Sequence, residues 1–161
     1  MESTHEIERL YQQHGAALVL FGITIVGERS LAQDAVQQVF LRLVETDSIR
    51  RASDPAAYLF ASVRNQLVNE TRVRQRSVWL DPDIAWFDPP ERDYAAEENL
   101  RRALRQIPDD QRQVIVLHIW GELTFSQIAD VLGINSNTAA SRYRYAIEKL
   151  RDEICPMKEK L

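Results

Sequence analysis

The sequence holds one cysteine, Cys155, in 161 residues. A lone thiol excludes an internal disulfide framework and a multi-cysteine zinc site, and it points to a reduced, cytoplasmic setting. Glycine (5) and proline (6) are scarce, which argues against a turn-rich all-β architecture. No apolar run approaches the roughly 18–20 residues that cross a bilayer. The opening segment from Met1 to Glu6 is polar and acidic, unlike a signal peptide. Neither a membrane nor a secreted protein is expected. His5, His14 and His118 pair with no nucleophile or carboxylate at catalytic spacing. There is also no phosphate-binding glycine loop and no metal-ligand cluster. No enzyme is expected, and no cofactor, metal or small-molecule substrate.

The chain is short of positive charge as well. Its net charge is −4, whereas a nucleic-acid binder is usually basic. The acids, however, are concentrated. Residues 81–98 carry seven of them against the single base Arg92, so this segment is at −6 and the remainder at +2. Lysine is rare: 17 of the 20 basic residues are arginine, the side chain better suited to bidentate phosphate and guanine contacts. DNA therefore stays open as a partner.

The rest of the sequence reads as helix. Ile7, Leu10, Tyr11, His14 and Leu18 lie on one helical stripe. The apolar stretch 18–26 fits either a helix continuation or a strand. Ser30 is placed to cap the next helix, whose buried face is Leu31, Ala32, Ala35, Val36, Val39, Phe40 and Leu43. Asp54-Pro55 reads as N-cap and first helical residue, opening a helix with Leu59, Phe60, Val63 and Leu67 inward. Arg72, Arg74 and Arg76 crowd its end, where the helix dipole favours cations. Pro82, Pro89 and Pro90 break residues 79–97 into an acidic linker with four aromatic residues, Trp79, Trp86, Phe87 and Tyr94. Helices resume near Glu98, with a stripe of Leu100, Ala103, Leu104 and Ile107. The fold class expected is all-α, with two small helical domains: an N-terminal bundle over 1–78 and a C-terminal four-helix domain over 98–161, joined by the acidic linker 79–97.

The stretch from Thr124 to Arg151 is the most informative. Thr124 with Gln127 forms a capping box. Gly133 supplies the positive φ of a helix C-terminus, and Ala129 is small where two helices would cross. Ile128, Leu132, Ala146, Ile147 and Leu150 form the apolar face. This is the pattern of a helix-turn-helix, whose second helix enters the DNA major groove by its N-terminal end. Ser136, Asn137, Thr138, Ala140 and Ser141 would meet bases and phosphates, with Arg142 and Arg144 behind them.

Four blocks, in order and spacing, resemble the extracytoplasmic-function (ECF) sigma factors, the small two-domain members of the sigma-70 family of bacterial transcription initiation factors. They are Leu10-Tyr11 with His14-Gly15 and Leu18; Ala32 to Arg42; Pro55 to Phe60 with Val63-Arg64-Asn65; and Ile107-Pro108 with Gln111-Arg112, Leu117, Gly121, Leu123-Thr124 and the helix-turn-helix. The resemblance implies a factor that binds core RNA polymerase, directs it to promoters and helps melt the −10 region. It assigns core-polymerase binding, to a coiled coil on the β′ subunit, to Gln33, Asp34, Gln37, Gln38 and Arg42. Gln38 stands where the family often has an acid, which places weight on Asp34. The β flap is the polymerase partner implied for the second domain, and an anti-sigma factor is a further partner that the family allows.

The resemblance also assigns the −10 element to Arg50, Arg51 and Ser53 in a loop, and to Tyr58, Arg64, Asn65 and Asn69 on the following helix. Aromatic and amide groups suit an unstacked base, although Tyr58 is equally readable as a core anchor. Arg72, Arg74 and Arg76 would lie near backbone phosphates. The −35 element falls to the helix-turn-helix residues above. The family often carries bases at the positions of Ala140, Tyr145 and Ile147; their absence implies weaker DNA affinity of the domain alone. The acidic linker suits the basic channels of the polymerase.

Two other readings compete. One is a stand-alone helix-turn-helix regulator with an N-terminal sensing or dimerisation domain, for which the first domain shows no ligand pocket or phosphoacceptor. The other is a helical interaction protein that binds no DNA.

Overall fold

The computed structural model describes residues 2–71, 99 and 102–159, with side chains for 2–70, 99 and 102–154. The expected linker 79–97, Arg72, Arg74 and Arg76 lie outside the described residues, as does the side chain of Cys155. Among the described residues all regular structure is helical. None of these helices is long and apolar enough to cross a membrane.

Helix α1 runs Glu2–Val26. The ambiguous stretch 18–26 is therefore a helix continuation. Its β-branched residues are tolerated because Leu18, Leu20, Phe21, Ile23 and Val26 are all buried, and tertiary burial outweighs a propensity penalty of tenths of a kcal/mol per residue. Thr24, also buried, satisfies its hydroxyl by donating to the Phe21 carbonyl at 2.6 Å. Helix α2 runs Arg29–Thr46, with Glu28 as N-cap and no side-chain cap bond. Ser30, expected as the cap, is already helical. Gly27, at φ +74, turns the chain so sharply that the helix begins two residues earlier.

A 3-10 turn, Ser48–Arg51, leads to helix α3, Pro55–Thr71. The expected start is confirmed: the Ala57 N–H donates to Asp54 Oδ1 at 3.1 Å. Leu59, Phe60, Val63 and Leu67 are fully buried. Helices α1, α2 and α3 pack mutually as a three-helix bundle.

In the second half, residues 102–105 are helical. Helix α4 covers Asp109–Ile115 and passes into a π-helical turn, Val116–Trp120. Helices α5, Phe125–Leu132, and α6, Ser136–Glu159, complete the helix-turn-helix. The capping box is present in full. Gln127 N–H donates to Thr124 Oγ1 at 3.2 Å, and Thr124 N–H donates to Gln127 Oε1 at 2.8 Å. Gly133 closes α5 at φ +66. Asn135 then caps α6, its Oδ1 accepting from Asn137 N–H at 2.8 Å and Thr138 N–H at 3.2 Å.

Arg112 holds this half together. Only 4% exposed, it donates to the carbonyls of Leu104, Arg105 and Ile107 and pairs with Asp109 at 2.7 Å. Those carbonyls end the preceding helical segment, where intrahelical partners run out.

The two halves share one core. Buried residues from Ile7 to Leu150 form a single apolar cluster, and α3 packs on α5 while α1 packs on α4 and the π-helical turn. Gly121 sits at the seam. A Cβ there would lie 2.6 Å from the Leu117 carbonyl and 3.1 Å from the ring of Phe60, so only glycine permits this approach.

Candidate nucleic-acid and polymerase interfaces

Three surfaces collect the residues expected to act. The first is the outer face of α2. Periodicity that buries Ala32, Ala35, Val36, Val39, Phe40 and Leu43 turns Gln33, Asp34, Gln37, Gln38 and Arg42 to solvent. Two of the five are held by α3: Gln66 donates to Gln38 Oε1 at 2.7 Å, and Arg42 donates to Gln66 Oε1 at 3.0 Å. Sequence reasoning missed Gln66, which lies 24 and 28 residues from its partners. It also missed Leu41 and Val44, 63% and 55% exposed. They extend the same face with apolar area; in the sequence, the sign was two large aliphatics outside the buried stripe.

The second surface is the turn before α3 and the outer side of that helix. Arg50, Arg51, Ser53, Asn65 and Asn69 are exposed, and Arg64 is half-buried. Arg50 is partnered by Asp47 at 3.4 Å. Tyr58 is 37% exposed and its hydroxyl donates to Ser48 Oγ at 3.3 Å, so it is not a core anchor. Tyr58, Asn65 and Asn69 follow each other at seven and four residues and so share one side of α3. Arg51, Ser53 and Tyr58 line a cleft whose other wall is Asp130 and Val131 of α5.

The third surface is the start of α6. Ser136, Asn137 and Arg144 are exposed; Thr138, Ala140, Ser141 and Arg142 are half-buried. Arg142 Nε lies 3.4 Å from Asp110 Oδ2, which neutralises part of the charge expected for DNA. Arg144 stands over the Tyr145 ring, 5.7 Å from its centroid. Behind this helix, His118 stacks on Phe125 at 4.7 Å and meets the edge of Tyr143 at 4.6 Å, while its Nδ1 bonds the Leu123 carbonyl at 2.9 Å. The ring is thereby fixed as a packing element.

His14 lies where the halves meet. It approaches Phe60 edge-on at 6.3 Å. Burial holds its pKa below the ordinary 6.5, and the carboxylate of Glu122 partly offsets the effect.

Comparisons with known proteins match the chain to a family. Residues 10–77 match the model of Sigma-70 region 2, and residues 97–150 that of Sigma-70 region 4. The ECF RNA polymerase sigma factor SigL of Mycobacterium tuberculosis is 32% identical over 152 residues, covering 88% of this chain and 85% of its own. The chain belongs to the ECF sigma factors. ECF RNA polymerase sigma factor EcfG of Rhodopseudomonas palustris is 31% identical over 140 residues, covering 83% of this chain and 77% of its own. In fold, the chain is similar to the sigma factor RpoE of Bartonella quintana, solved in complex with the anti-sigma factor NepR. That likeness has a TM-score of 0.72 at 23% identity and covers 91% of this chain and 94% of that one. As a sigma factor the protein binds core RNA polymerase and directs it to promoters; such proteins are initiation factors rather than enzymes.

Proposed function

We propose that this sigma factor, acting in the cytoplasm, divides promoter recognition among its three surfaces. Residues 1–78 form the core-binding and −10 unit, 98–161 the −35 unit, and 79–97 the acidic connector. Gln33, Asp34, Gln37, Gln38 and Arg42, with Leu41 and Val44, meet a polar and apolar surface of the polymerase. A helix face whose amides and carboxylate surround two exposed aliphatics fits a partner helix.

Arg51 and Ser53 hold the backbone of the opened −10 strand, and Tyr58, Asn65 and Asn69 take its bases. The observation that carries this reading is the exposed Tyr58–Asn65–Asn69 row on α3 directly after an arginine-bearing turn. A ring offers a stacking face and an amide offers paired donor and acceptor to a base edge. Capturing unstacked bases stabilises the melted state, so the same row assists melting. Ser136, Asn137, Thr138, Ala140, Ser141, Arg142 and Arg144 take the −35 element from the capped start of α6. An anti-sigma factor would act by covering one of these surfaces.

Run-off transcription with purified core polymerase on a candidate promoter tests the assignment. Tyr58→Ala with Asn65→Ala is expected to lower transcript yield by more than tenfold, with co-elution on core polymerase retained. Unchanged yield would overturn the −10 assignment.

A further inference from the structure

We propose that Gln66 of α3 tunes the grip of the α2 face on its polymerase partner. It holds the Gln38 amide with its oxygen turned inward, and so withholds a hydrogen-bond acceptor from that face. The proposal rests on the polymerase reading of α2 given above.

The amide orientation follows from which atoms can donate. A guanidinium only donates and a carboxylate only accepts. Arg42 Nη2 lies 3.0 Å from Gln66, so the atom it meets is the acceptor, Oε1. Gln66 Nε2 is then the donor end. It gives one hydrogen to Glu70 Oε1 at 2.9 Å and the other to Gln38 at 2.7 Å. Gln38 can answer only with Oε1, which leaves its Nε2 donor to face outward. Arg42 and Glu70 thus fix, from opposite ends, a polarity that neither glutamine could fix alone. Gln66 is half-buried, whereas Gln38, Arg42 and Glu70 are exposed, so the network is anchored at its centre.

Asp34, Gln38 and Arg42 follow each other at intervals of four residues and line up along α2. Asp34 is a carboxylate, and charge complementarity calls for a basic group opposite it. An acceptor one turn further on would share that group. With Oε1 committed to Gln66, position 38 shows amide hydrogens instead, and a cation gains nothing from a donor. To accept, Gln38 must first give up its bond to Gln66 and rotate. A bond of this kind holds a population ratio of about two- to tenfold, and binding is weakened in proportion to the competent fraction. The face is thereby set below the affinity that its own residues could reach. Gln66 is a positioning residue, acting through Gln38.

Exchanging two side chains of α3 reverses this polarity without changing net charge. In Gln66→Glu/Glu70→Gln, the carboxylate at position 66 accepts from Arg42, from the amide at position 70 and from Gln38 Nε2. Gln38 Oε1 then turns outward.

Full-length protein labelled at its one cysteine, Cys155, is titrated with purified core RNA polymerase at fixed salt and followed by fluorescence anisotropy. The exchange variant is expected to bind about two- to tenfold more tightly than the parent, at an unchanged thermal midpoint. Such a gain is not a product of misfolding. Gln38→Glu should also bind more tightly, since one carboxylate oxygen accepts from Gln66 while the other faces outward. In a Gln38→Ala background the exchange should alter affinity by less than about twofold. A charge moved from position 70 to 66 and acting by itself would leave the gain intact there.

Equal or weaker binding by the exchange variant or by Gln38→Glu would overturn the proposal, and so would a gain that persists in Gln38→Ala. If Asp34→Arg abolishes binding while the exchange leaves it unaltered, the polymerase reading stands and this inference falls. A parent protein that does not bind core polymerase overturns both.

Discussion

Arg112 Nε donates a hydrogen bond to the backbone oxygen of Leu104 at 2.9 Å, tying α4 to the end of the helical segment before it. The same guanidinium reaches Ile107 at 2.7 Å and Asp109 at 2.7 Å. An arginine with five donors in a fixed fork can close several helix-terminal carbonyls at once, which lysine cannot. Arg112→Leu strands these carbonyls in a buried site. It is expected to destabilise the protein by about 2–4 kcal/mol, read as a lowered denaturant midpoint. Arg112→Lys should recover less than half of that loss.

The two turn glycines separate backbone cost from steric cost. At Gly133, φ is +66 and a Cβ would meet nothing within 4 Å. Gly133→Ala should therefore cost only the left-handed backbone penalty, about 1 kcal/mol. At Gly121 a Cβ meets a carbonyl oxygen at 2.6 Å and Phe60 at 3.1 Å, so Gly121→Ala should cost more, about 2–3 kcal/mol. Chemical denaturation of both variants beside the parent gives the comparison.

His14 links stability to pH. Its folded pKa lies below the unfolded 6.5, chiefly through burial and despite Glu122. Between the two values the unfolded chain binds the extra proton, so stability rises with pH across that window. The contribution is complete above the unfolded value and is lost as pH falls below it, ceasing to change once pH is under the folded value. Denaturant midpoints measured from about pH 5 to 8 should show this slope. His14→Gln should flatten it, and raising the pH above the window should leave the two proteins' difference constant.

Asp110 restrains Arg142 through a partly exposed ion pair, 3.4 Å long. Such pairs contribute less than about 1 kcal/mol to stability, so Asp110→Asn should fold normally. Freeing the guanidinium should strengthen binding to duplex DNA and steepen the dependence of log affinity on log salt by up to about one. A fluorescence anisotropy titration at three salt concentrations measures it.

Local signals in the sequence were the reliable ones. Asp54-Pro55, Thr124 with Gln127, and Gly133 each act through hydrogen bonds or backbone angles within four residues. Each appears in the structure as read. The sites of failure were non-local. Ser30 satisfies the residue preference of a cap, but the turn at Gly27 brings Glu28 to that position instead. Stretch 18–26 was ambiguous because periodicity is silent where every side is buried.

The π-helical turn at Val116–Trp120 follows a shift to i→i+5 bonding, as in Gly121 N–H to the Val116 carbonyl at 3.0 Å, for which residue type leaves no mark. Of the candidate surfaces, the polar face of α2 was legible from its period. The tether of Gln66 to Gln38 and the bond that Gln127 Nε2 donates to Asp54 Oδ2 at 2.7 Å were not, since each joins helices that only tertiary packing brings together. Tyr58 shows the same limit: its ring suited a core as well as a base until its exposure was known.

Asp34 is exposed on the face of α2 that is assigned to the polymerase. Purified protein mixed with core RNA polymerase and passed over a size-exclusion column is expected to co-elute with it. Asp34→Arg, which reverses a surface charge without touching the core, should abolish co-elution while leaving helicity and thermal midpoint unchanged. Failure of the parent protein to co-elute, or undiminished co-elution of Asp34→Arg, would contradict the assignment.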